Sequence, residues 1–487
     1  MARNLLAREL SILGGPILAV IAYNLLPEAP AGVPRPELAQ MTLAMTVWMG
    51  WWWLTEAIPV AATALLPLSL FPVFGIGELK AIAQAYAHPL IFLFLGGFVI
   101  AIAIAKTGLH RFVAYQILRL PTRDVRDVVG LMMLVTAAAS MWVSNTAATI
   151  MMLPIALSLC NACDELMGAE AARFTSCAML CVAYGATIGG LGTLIGSPPN
   201  LFIASYLEDH LEIQISFAKW MVLSAPLIAM LLPIAWYLLT RPLFQIPAKV
   251  VEARAVFGND APHWRDLPAG ASTTVVVFVA TALCWVLRPN LQSLEVMGAR
   301  PFAHLTDAGI SITAALALFV FPISAKAPNK VLCWDDLSSL PWGTLLLFGG
   351  GLALAATISN NGADDYLGLW GAGLAGAPMF AVLLVVIVLV VVLTELTSNT
   401  ATTAALAPIL VGMAVVIGLQ PAPLGISVAF AASCAFMLPV ATPPNAVMYG
   451  TGKIPLADMR YAGTWMNAVA VILVAGVALL WIPYVMR

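Results

Sequence analysis

A short polar motif occurs twice inside long apolar stretches of this chain. The copies are Ser144-Asn145-Thr146 and Ser398-Asn399-Thr400, which lie 254 positions apart. Their hydroxyl and amide oxygens are ligands that small hard cations accept. A helix that begins at such a motif also presents free N–H groups to an anion. Because polar side chains at membrane depth are costly unless they are satisfied or used, the motif predicts paired cation and anion sites.

A second pair of motifs follows the first. Gly196-Ser197-Pro198-Pro199-Asn200 and Ala441-Thr442-Pro443-Pro444-Asn445 lie 245 positions apart in two other apolar segments. Ser or Thr followed by Pro is typical of a helix start, with the hydroxyl as N-cap and Pro at the first helical position. Each start falls mid-segment, so both helices are predicted to be broken there, with carbonyls exposed on one side of each break and N–H groups on the other. The four breaks contain no Arg or Lys, which favours an anion whose charge is balanced by cations bound beside it.

Each motif also has a structural interpretation. Ser, Thr and Asn form hydrogen bonds between membrane helices, and Pro-Pro-Asn could mark an ordinary kink. Glu56 and Glu395 could relay protons, but buried acids in membranes usually pair locally, which favours a supporting role. The pairing of the breaks between two halves favours function, because matched interruptions are typical of a transporter built from repeats, with its site at the repeat interface.

The composition predicts a polytopic membrane protein. The 487 residues are 61% hydrophobic and 9% charged, with a mean hydropathy of +0.95, whereas a soluble domain has about 25% charged residues. A net charge of −2 provides no basic surface for nucleic acid. The seven cysteines include one C-x-x-C, Cys160 and Cys163, but no second pair at zinc spacing. Most of the seven fall in apolar segments, and we expect Cys160 and Cys163 to be small buried hydrophobic residues.

Eleven spans are predicted, because a helix needs about 20 apolar residues to cross a bilayer. They are 10–26, 40–57, 59–78, 89–107, 174–204, 217–240, 271–288, 305–324, 341–359, 424–449 and 461–484. The first could be a signal peptide, but no cleavage site clearly ends it, so it is interpreted as an uncleaved span.

Two apolar blocks, 127–163 and 378–418, are each about twice as long as one crossing and carry Ser-Asn-Thr near the middle. Each block is either two crossings with a buried turn or a re-entrant hairpin. The re-entrant hairpin is favoured, because each arm is near the minimum spanning length and each turn is too polar to face lipid.

The predicted organisation is a pair of inverted repeats. Residues 1–38 form the first span and an outer loop, 39–240 repeat one, 241–270 a cytoplasmic linker and 271–487 repeat two. This arrangement places sixteen of the 22 basic residues on one side and six on the other, so the N-terminus is predicted to be cytoplasmic and the C-terminus outside. The predicted fold class is an all-α polytopic membrane protein with broken helices at the midplane.

These motifs, together with Trp-x-Thr-Glu-Ala-Ile-Pro at residues 53–59, resemble the divalent anion/sodium symporter family. That family contains bacterial relatives of the animal sodium-dependent dicarboxylate, citrate and sulfate carriers, and the resemblance covers nearly the whole chain from about residue 40. It implies a homodimer of subunits with eleven spans and two hairpins, in a bacterial inner membrane. It also implies sodium as the coupling ion and an elevator motion of a transport domain against a scaffold.

The resemblance further implies roles for particular residues. The first sodium site would comprise Ser140, Ser144, Asn145 and a backbone carbonyl at Gly196. The two breaks differ here, because Gly196-Ser197 in the first corresponds to Ala441-Thr442 in the second, so the carbonyls of 189–193 are alternative ligands. The second sodium site would comprise Thr394, Asn399 and backbone around Ser398 and Ala441. The substrate would contact the following residues: Asn145, Thr146, Ser197, Pro198, Asn399, Thr400, Thr442 and Pro443.

The function predicted on this basis is sodium-coupled symport of a small divalent anion, most favourably a four-carbon dicarboxylate such as succinate. Sulfate or another oxyanion is an alternative substrate, and a sodium-independent exchanger is an alternative mechanism. An anion channel ranks lower, and an intramembrane enzyme lowest, because the candidate catalytic residues are scattered along the chain. The expected partners are the anion, sodium, the lipid bilayer and a second copy of the chain, without nucleic acid.

Overall fold

The computed structural model describes residues 2–26, 35–118, 120–250, 264–295, 297, 299–324, 327–363, 366 and 376–486. The described part is built of α-helices, which confirms the predicted all-α class. Its only strands are β1 (Pro322–Ser324) and β2 (Ala327–Lys330), which form one short antiparallel pair.

The helices of the first half include long apolar elements and short ones. They are α1 (Ala2–Leu25), α2 (Pro36–Thr55), α3 (Val60–Thr63), α4 (Leu66–Val73), α5 (Leu79–Ala85), α6 (Pro89–Lys106), α7 (Leu109–Leu118), α8 (Val125–Ser140), α9 (Asn145–Met167), α10 (Ala171–Gly190), α11 (Pro198–Leu211) and α12 (Phe217–Leu238). A π-helical turn over Leu239–Leu243 extends α12 into the predicted linker, of which residues 251–263 lie outside the described residues.

The helices of the second half follow a similar order. They are α13 (Ala271–Ser293), α14 (Asp307–Val320), α15 (Trp342–Asn360), α16 (Met379–Thr394), α17 (Asn399–Val416), α18 (Pro421–Ser433), α19 (Pro443–Tyr449), α20 (Leu456–Gly476) and α21 (Ile482–Val485). Across the described chain, seven helical stretches are long and apolar enough to cross a membrane, and several shorter apolar helices accompany them. The count of eleven spans stays a prediction.

The segment 59–78 differs from its prediction as a single span. It contains two short helices, α3 and α4, which are separated at residues 64–65. The cause is Pro67, which has no N–H to donate to the carbonyl of Thr63 four residues earlier. The segment is therefore not one continuous helix, and whether it crosses the bilayer stays a prediction.

The two long apolar blocks each form a helical hairpin. In the first, α8 and α9 are joined by residues 141–144, which we call tip one. In the second, α16 and α17 are joined by residues 395–398, which we call tip two. Both second helices begin at the Asn of the motif, after a Ser in extended conformation. Whether the hairpins are re-entrant or cross the bilayer stays a prediction, as does the orientation of the chain.

Two other helices are interrupted where Pro-Pro was predicted to start a new one. Residues 191–197, which we call break one, separate α10 from α11, and residues 434–442, which we call break two, separate α18 from α19. Both second helices begin at the first Pro, whose missing N–H would have had no helical partner there. The predicted broken helices are thus present in both halves.

Close helix packing holds break one against the first hairpin. A Cβ atom on Gly185 would lie 2.7 Å from the carbonyl oxygen of Met133, and one on Gly189 would lie 2.1 Å from that of Ala137. Only glycine allows α10 to approach α8 this closely. In the second half, a Cβ on Gly463 of α20 would lie 2.3 Å from the carbonyl oxygen of Phe436 in break two. Glycines therefore position both breaks.

Candidate functional site

The two tips and the two breaks meet at one cavity of about 710 Å³, which is within the size range of small-molecule sites. Twelve of the fourteen predicted site residues line it, and these are Ser144, Asn145, Thr146, Gly196, Ser197, Pro198, Ser398, Asn399, Thr400, Ala441, Thr442 and Pro443. The other two, Ser140 and Thr394, are fully buried behind the cavity wall. The fold thus brings together four short segments that are far apart in the sequence.

The cavity has almost no charged side chains. Among the described residues that line it, none is Lys or Arg, and Glu56 at the end of α2 is the single ionisable one. Phe94, Phe98 and Ile195 supply apolar wall. An anion in this cavity would therefore depend on hydroxyls, amides, helix N-termini and bound cations for its stabilisation.

Free backbone N–H groups reach the cavity from the hairpins. The N–H groups of Asn145 and Thr146, at the start of α9, have no partner in the described part of the chain, and neither do those of Asn399 and Thr400 at the start of α17. These groups belong to the first turn of each helix, where intrahelical acceptors are lacking. Each tip therefore presents a pair of N–H donors to an anion.

The Pro-Pro starts contribute less N–H than the sequence predicted. Prolines occupy the first two positions of α11 and α19, and the N–H of the third residue is already bonded. Asn200 donates to the carbonyl of Ser197 at 3.1 Å, and Asn445 donates to Thr442 Oγ1 at 3.3 Å. The expectation that every break offers N–H groups therefore holds for the tips and is wrong for the first turns after the breaks.

Two hydroxyls at the cavity keep their protons available. Ser144 Oγ accepts from the N–H of Ala147 at 3.3 Å, and Thr442 Oγ1 accepts from Asn445. A hydroxyl that accepts in this way can still donate its own proton. Ser197 differs, because its Oγ lies 3.3 Å from Ser433 Oγ at the end of α18, a contact that connects the two halves.

A cluster of oxygens lies behind tip one. Ser140 Oγ is 2.7 Å from Asn145 Oδ1 and 2.7 Å from the carbonyl oxygen of Ala186. One hydroxyl proton can serve only one of these acceptors at a time. The cluster therefore has oxygen lone pairs to spare, which is the chemistry a small hard cation requires. We call Ser140 and Asn145 the first cation site.

The second half repeats this cluster behind tip two. Thr394 Oγ1 is 2.8 Å from Asn399 Oδ1 and 2.7 Å from the carbonyl oxygen of Ala432. The hydroxyl again has two acceptors for one proton, and Thr394 is fully buried. We call Thr394 and Asn399 the second cation site. The two sites match in donor type, distance and order along the chain.

Glycines bring the end of α10 onto the first cation site. A Cβ on Gly190 would lie 2.3 Å from Asn145 Oδ1, and one on Gly196 would lie 2.6 Å from the carbonyl oxygen of Gly190. Gly190, which belongs to the predicted ligand segment 189–193, therefore lies against Asn145, and Gly196, the other predicted source of a backbone ligand, lies against Gly190.

Sequence reasoning missed Asn200 and Asn445. Both side chains are fully buried, and each amide nitrogen donates to two carbonyls that lie in its own break or directly before it. Asn200 Nδ2 lies 2.8 Å from the oxygens of both Gly190 and Thr193, and Asn445 Nδ2 lies 3.4 Å from Ala435 and 3.1 Å from Leu438. The shared Pro-Pro-Asn pattern was the available signal, because each Asn stands at the same place after the Pro pair.

Glu395 supports the backbone of break two. Its carboxylate accepts from the N–H groups of Phe436, Met437 and Leu438 at 2.8 to 3.2 Å and from Asn467 Nδ2 at 2.6 Å. Of the two roles left open for this residue, the geometry supports the structural one. Glu56, by contrast, is exposed at the cavity and ends α2 with a positive φ of 47°.

Comparison with known proteins gives one family and several relatives. The model of the family described as the sodium:sulfate symporter transmembrane region matches residues 10–487. A protein of Staphylococcus aureus (strain USA300), named as the sodium-dependent dicarboxylate transporter SdcS, is 36% identical over 452 residues. That alignment covers 91% of this chain and 86% of SdcS.

Two solved structures share the fold. The YdaH transporter of Alcanivorax borkumensis has a TM-score of 0.59 at 16% identity, over 98% of each chain. MtrF of Neisseria gonorrhoeae has a TM-score of 0.60 at 13% identity, over 96% of this chain and 97% of MtrF. At these identities the likeness concerns the fold alone.

Proposed function

This chain belongs to the sodium:sulfate symporter family, and on that basis we propose that it is a sodium-coupled symporter of a small divalent anion, with a four-carbon dicarboxylate such as succinate as substrate. The relative SdcS is named as a sodium-dependent dicarboxylate transporter. Because the family consists of transporters, an intramembrane enzyme is rejected. The observation that carries the proposal is the meeting of four polar breaks at one cavity whose described lining includes no Lys or Arg.

In this proposal sodium takes the place of basic side chains. One ion binds at Ser140 and Asn145 and the other at Thr394 and Asn399, where oxygen lone pairs exceed the available protons. Ser144, Ser398 and backbone near Gly196 and Ala441 complete the two sites. Each ion then lies directly behind a tip whose N–H groups face the anion, so its positive charge adds to that of the helix N-terminus.

The dicarboxylate binds between the two tips. One carboxylate meets Asn145 and Thr146 with the start of α11 at Ser197 and Pro198, and the other meets Asn399 and Thr400 with the start of α19 at Thr442 and Pro443. The free N–H pair of each tip donates to its carboxylate, and the hydroxyl of Thr442 adds a donor. Sodium binds first and orients both Asn side chains, so anion affinity depends on sodium.

The cavity also suggests the state of the transport cycle. Its rim includes Glu56, Ser339, Pro341 and Thr344, and the distribution of basic residues predicts that these lie on the cytoplasmic side. We propose that this conformation opens inward, with the N-terminus cytoplasmic and the C-terminus outside. The hairpins are re-entrant, and an elevator movement of the tips and breaks, within a homodimer in a bacterial inner membrane, exposes the site to the other side.

Flux in proteoliposomes tests the coupling. Purified protein is reconstituted, and uptake of labelled succinate is measured with an inward sodium gradient and with choline in place of sodium. We expect saturable uptake that requires sodium and shows counterflow. Equal uptake in choline would reject coupling and favour the exchanger, and current at a very high unit rate without saturation would favour a channel.

Sulfate is a second candidate substrate, because the matching family is described by sodium:sulfate symport. A ligand that binds only the folded protein raises its melting temperature. We expect succinate with sodium to raise that temperature more than sulfate or citrate does at equal concentration. A larger rise in melting temperature with sulfate would make sulfate the favoured substrate and succinate the second candidate.

A further inference from the structure

The two cation sites differ in one charged residue. Glu395, the first residue of tip two, is 5% exposed, and the residue at the same offset in tip one is Met141. We propose that Glu395 is a positioning residue of the second cation site, and that its negative charge makes this site bind sodium more tightly than the first. This inference rests on the proposed function of the two sites.

The hydrogen bonds indicate that Glu395 is an ionised carboxylate. All of its partners are donors, namely three consecutive backbone N–H groups of break two and the amide nitrogen of Asn467. A protonated acid would need an acceptor for its own proton, and none of these contacts provides one. Asn467 is itself fixed, because its Oδ1 accepts from the N–H of Phe436 at 3.2 Å.

This charge has no basic partner in the described part of the chain. Within the described ranges, no ion pair joins Glu395 to Lys, Arg or His. A buried carboxylate that is stabilised by dipoles alone retains a long-range attraction for a cation, because the surrounding interior screens it weakly. The second cation site is nearby in the chain, since its residue Thr394 directly precedes Glu395.

Glu395 also joins the two segments that supply the second site. Its backbone belongs to the tip that carries Ser398 and Asn399, and its carboxylate holds the backbone of 436–438. The N–H of Ala441 in turn donates to the carbonyl of Leu438 at 3.2 Å. Through these contacts the carboxylate helps to position the proposed ligand Ala441 relative to tip two.

In the first half, an uncharged hydrogen bond connects the tip to the break. There the hydroxyl of Thr193 in break one donates to the carbonyl of Met141 in tip one. The N–H groups of Leu191 and Gly192 donate to carbonyls in the last turn of α10, at 3.2 Å to Ile188 and at 2.9 Å to Gly189. The first cation site therefore has matching ligands, but its tip has the uncharged Met141 where tip two has Glu395.

The test measures the melting temperature of the purified protein as a function of sodium concentration, without substrate anion. Choline replaces sodium so that the ionic strength stays constant. We expect sodium to raise the melting temperature in two concentration ranges. The rise at low sodium concentration should be lost in Thr394→Ala and kept in Ser140→Ala. The opposite assignment, or equal loss in both, would overturn the proposal.

Two further variants separate charge from positioning. Glu395→Gln removes the charge, and we expect it to raise the sodium concentration for half of the shift by roughly tenfold or more. Asn467→Ala keeps the charge and removes one donor, so we expect a smaller increase. A merely structural role would lower the melting temperature of both variants and leave the sodium midpoint unchanged, which would contradict the inference.

The outcomes distinguish this inference from the proposed function. If the wild type shows no sodium-dependent shift and no sodium-dependent uptake, the proposed function fails. If the wild type binds sodium and Glu395→Gln binds it equally well, only the role of Glu395 fails. Should Glu395→Gln not fold, the comparison of Thr394→Ala with Ser140→Ala still decides which site is tighter.

Discussion

The two halves of the molecule use the same groups at the cavity and different groups behind it. Ser140 and Thr394 hold Asn145 and Asn399 with nearly equal distances of 2.7 and 2.8 Å, and each also approaches a carbonyl oxygen at 2.7 Å. Thr149 and Thr403 donate to the carbonyls of the same two Asn residues at 2.8 and 2.9 Å. The tips are therefore close equivalents.

The supports of the two breaks are not equivalent. Helix α10 continues to Gly190, and its last turn satisfies the N–H groups that follow, whereas α18 ends at Ser433. The N–H groups of 436–438 then need another acceptor, which Glu395 provides. Buried backbone groups must be paired in some way, but the partner can differ. The geometry at the cavity is thus repeated, while the support is local to each half.

The largest test of this comparison removes the equivalent amides. Asn145→Ala and Asn399→Ala should each abolish sodium-dependent succinate uptake, because each deletes a proposed cation ligand and disturbs the N–H pair beside it. Uptake in proteoliposomes measures the effect. Ile150→Ala in α9 and Val415→Ala in α17 are matched controls, since both side chains are largely exposed and away from the cavity. Full uptake by either Asn variant would remove the site assignment.

The second test compares the two buried Asn side chains that support the breaks. Asn200→Ala and Asn445→Ala each remove two hydrogen bonds to carbonyls in or directly before a break, at a cost of about 1–3 kcal/mol. Asn200 makes the shorter bonds, at 2.8 Å against 3.1 and 3.4 Å, so its variant should lose more thermal stability. Melting temperatures in detergent give the comparison. A greater loss for Asn445→Ala would mean that break two depends on the Asn445 side chain more than the lengths of its hydrogen bonds indicate.

The third test concerns how the hairpins begin. Asp124 caps α8 by accepting from the N–H of Arg126 at 2.8 Å, whereas α16 begins after Pro378 without a side-chain cap. Asp124→Ala should therefore destabilise only the first hairpin, by about 1 kcal/mol. Limited proteolysis near residue 124, with Asp124→Asn as control, measures this. Equal protection of the alanine variant would contradict the capping role.

The pH dependence of this cap has a definite sign. The hydrogen bond with the Arg126 side chain lowers the pKa of Asp124 from its ordinary value of 3.8. A lowered pKa means that the stabilisation is fully present above 3.8 and is lost only as the pH falls through the lower folded value. We therefore expect proteolysis of the wild type near residue 124 to be constant between about pH 5 and 8.

The smallest expected effect is at the contact between the halves. Ser433→Ala removes the 3.3 Å hydrogen bond to Ser197, which at that length contributes about 0.5 kcal/mol. Ser427→Ala is the control, because its hydroxyl bonds within α18 to Pro423. We expect a melting temperature slightly below that of the control. A large decrease would indicate that this contact sets the position of one half against the other.

Much of the architecture could be predicted because the determining residues are local. Pro198 and Pro443 start helices by their own chemistry, and Asn145 and Asn399 begin the second arms after a Ser. The division of 59–78 was missed, although Pro67 was visible, because the apolar length alone suggested a span. The meeting of twelve predicted residues at one cavity depends on packing, which spacing does not report.

The supporting residues were harder to predict. The partners of Glu395 are backbone N–H groups more than 40 positions away, and backbone carries no sequence signal. Asn200 and Asn445 were part of a recognised pattern, but their amides point back to their own breaks. Residues whose partners are other side chains or adjacent turns can be inferred from sequence, whereas those that satisfy distant backbone cannot.

Succinate binding to the purified protein by isothermal titration calorimetry tests the central claim most directly. The titration is carried out in sodium and again in choline at equal ionic strength. The account predicts saturable binding in sodium and none detectable in choline, because the metal ions supply the positive charge that the cavity lacks. Binding of equal affinity in choline would contradict it.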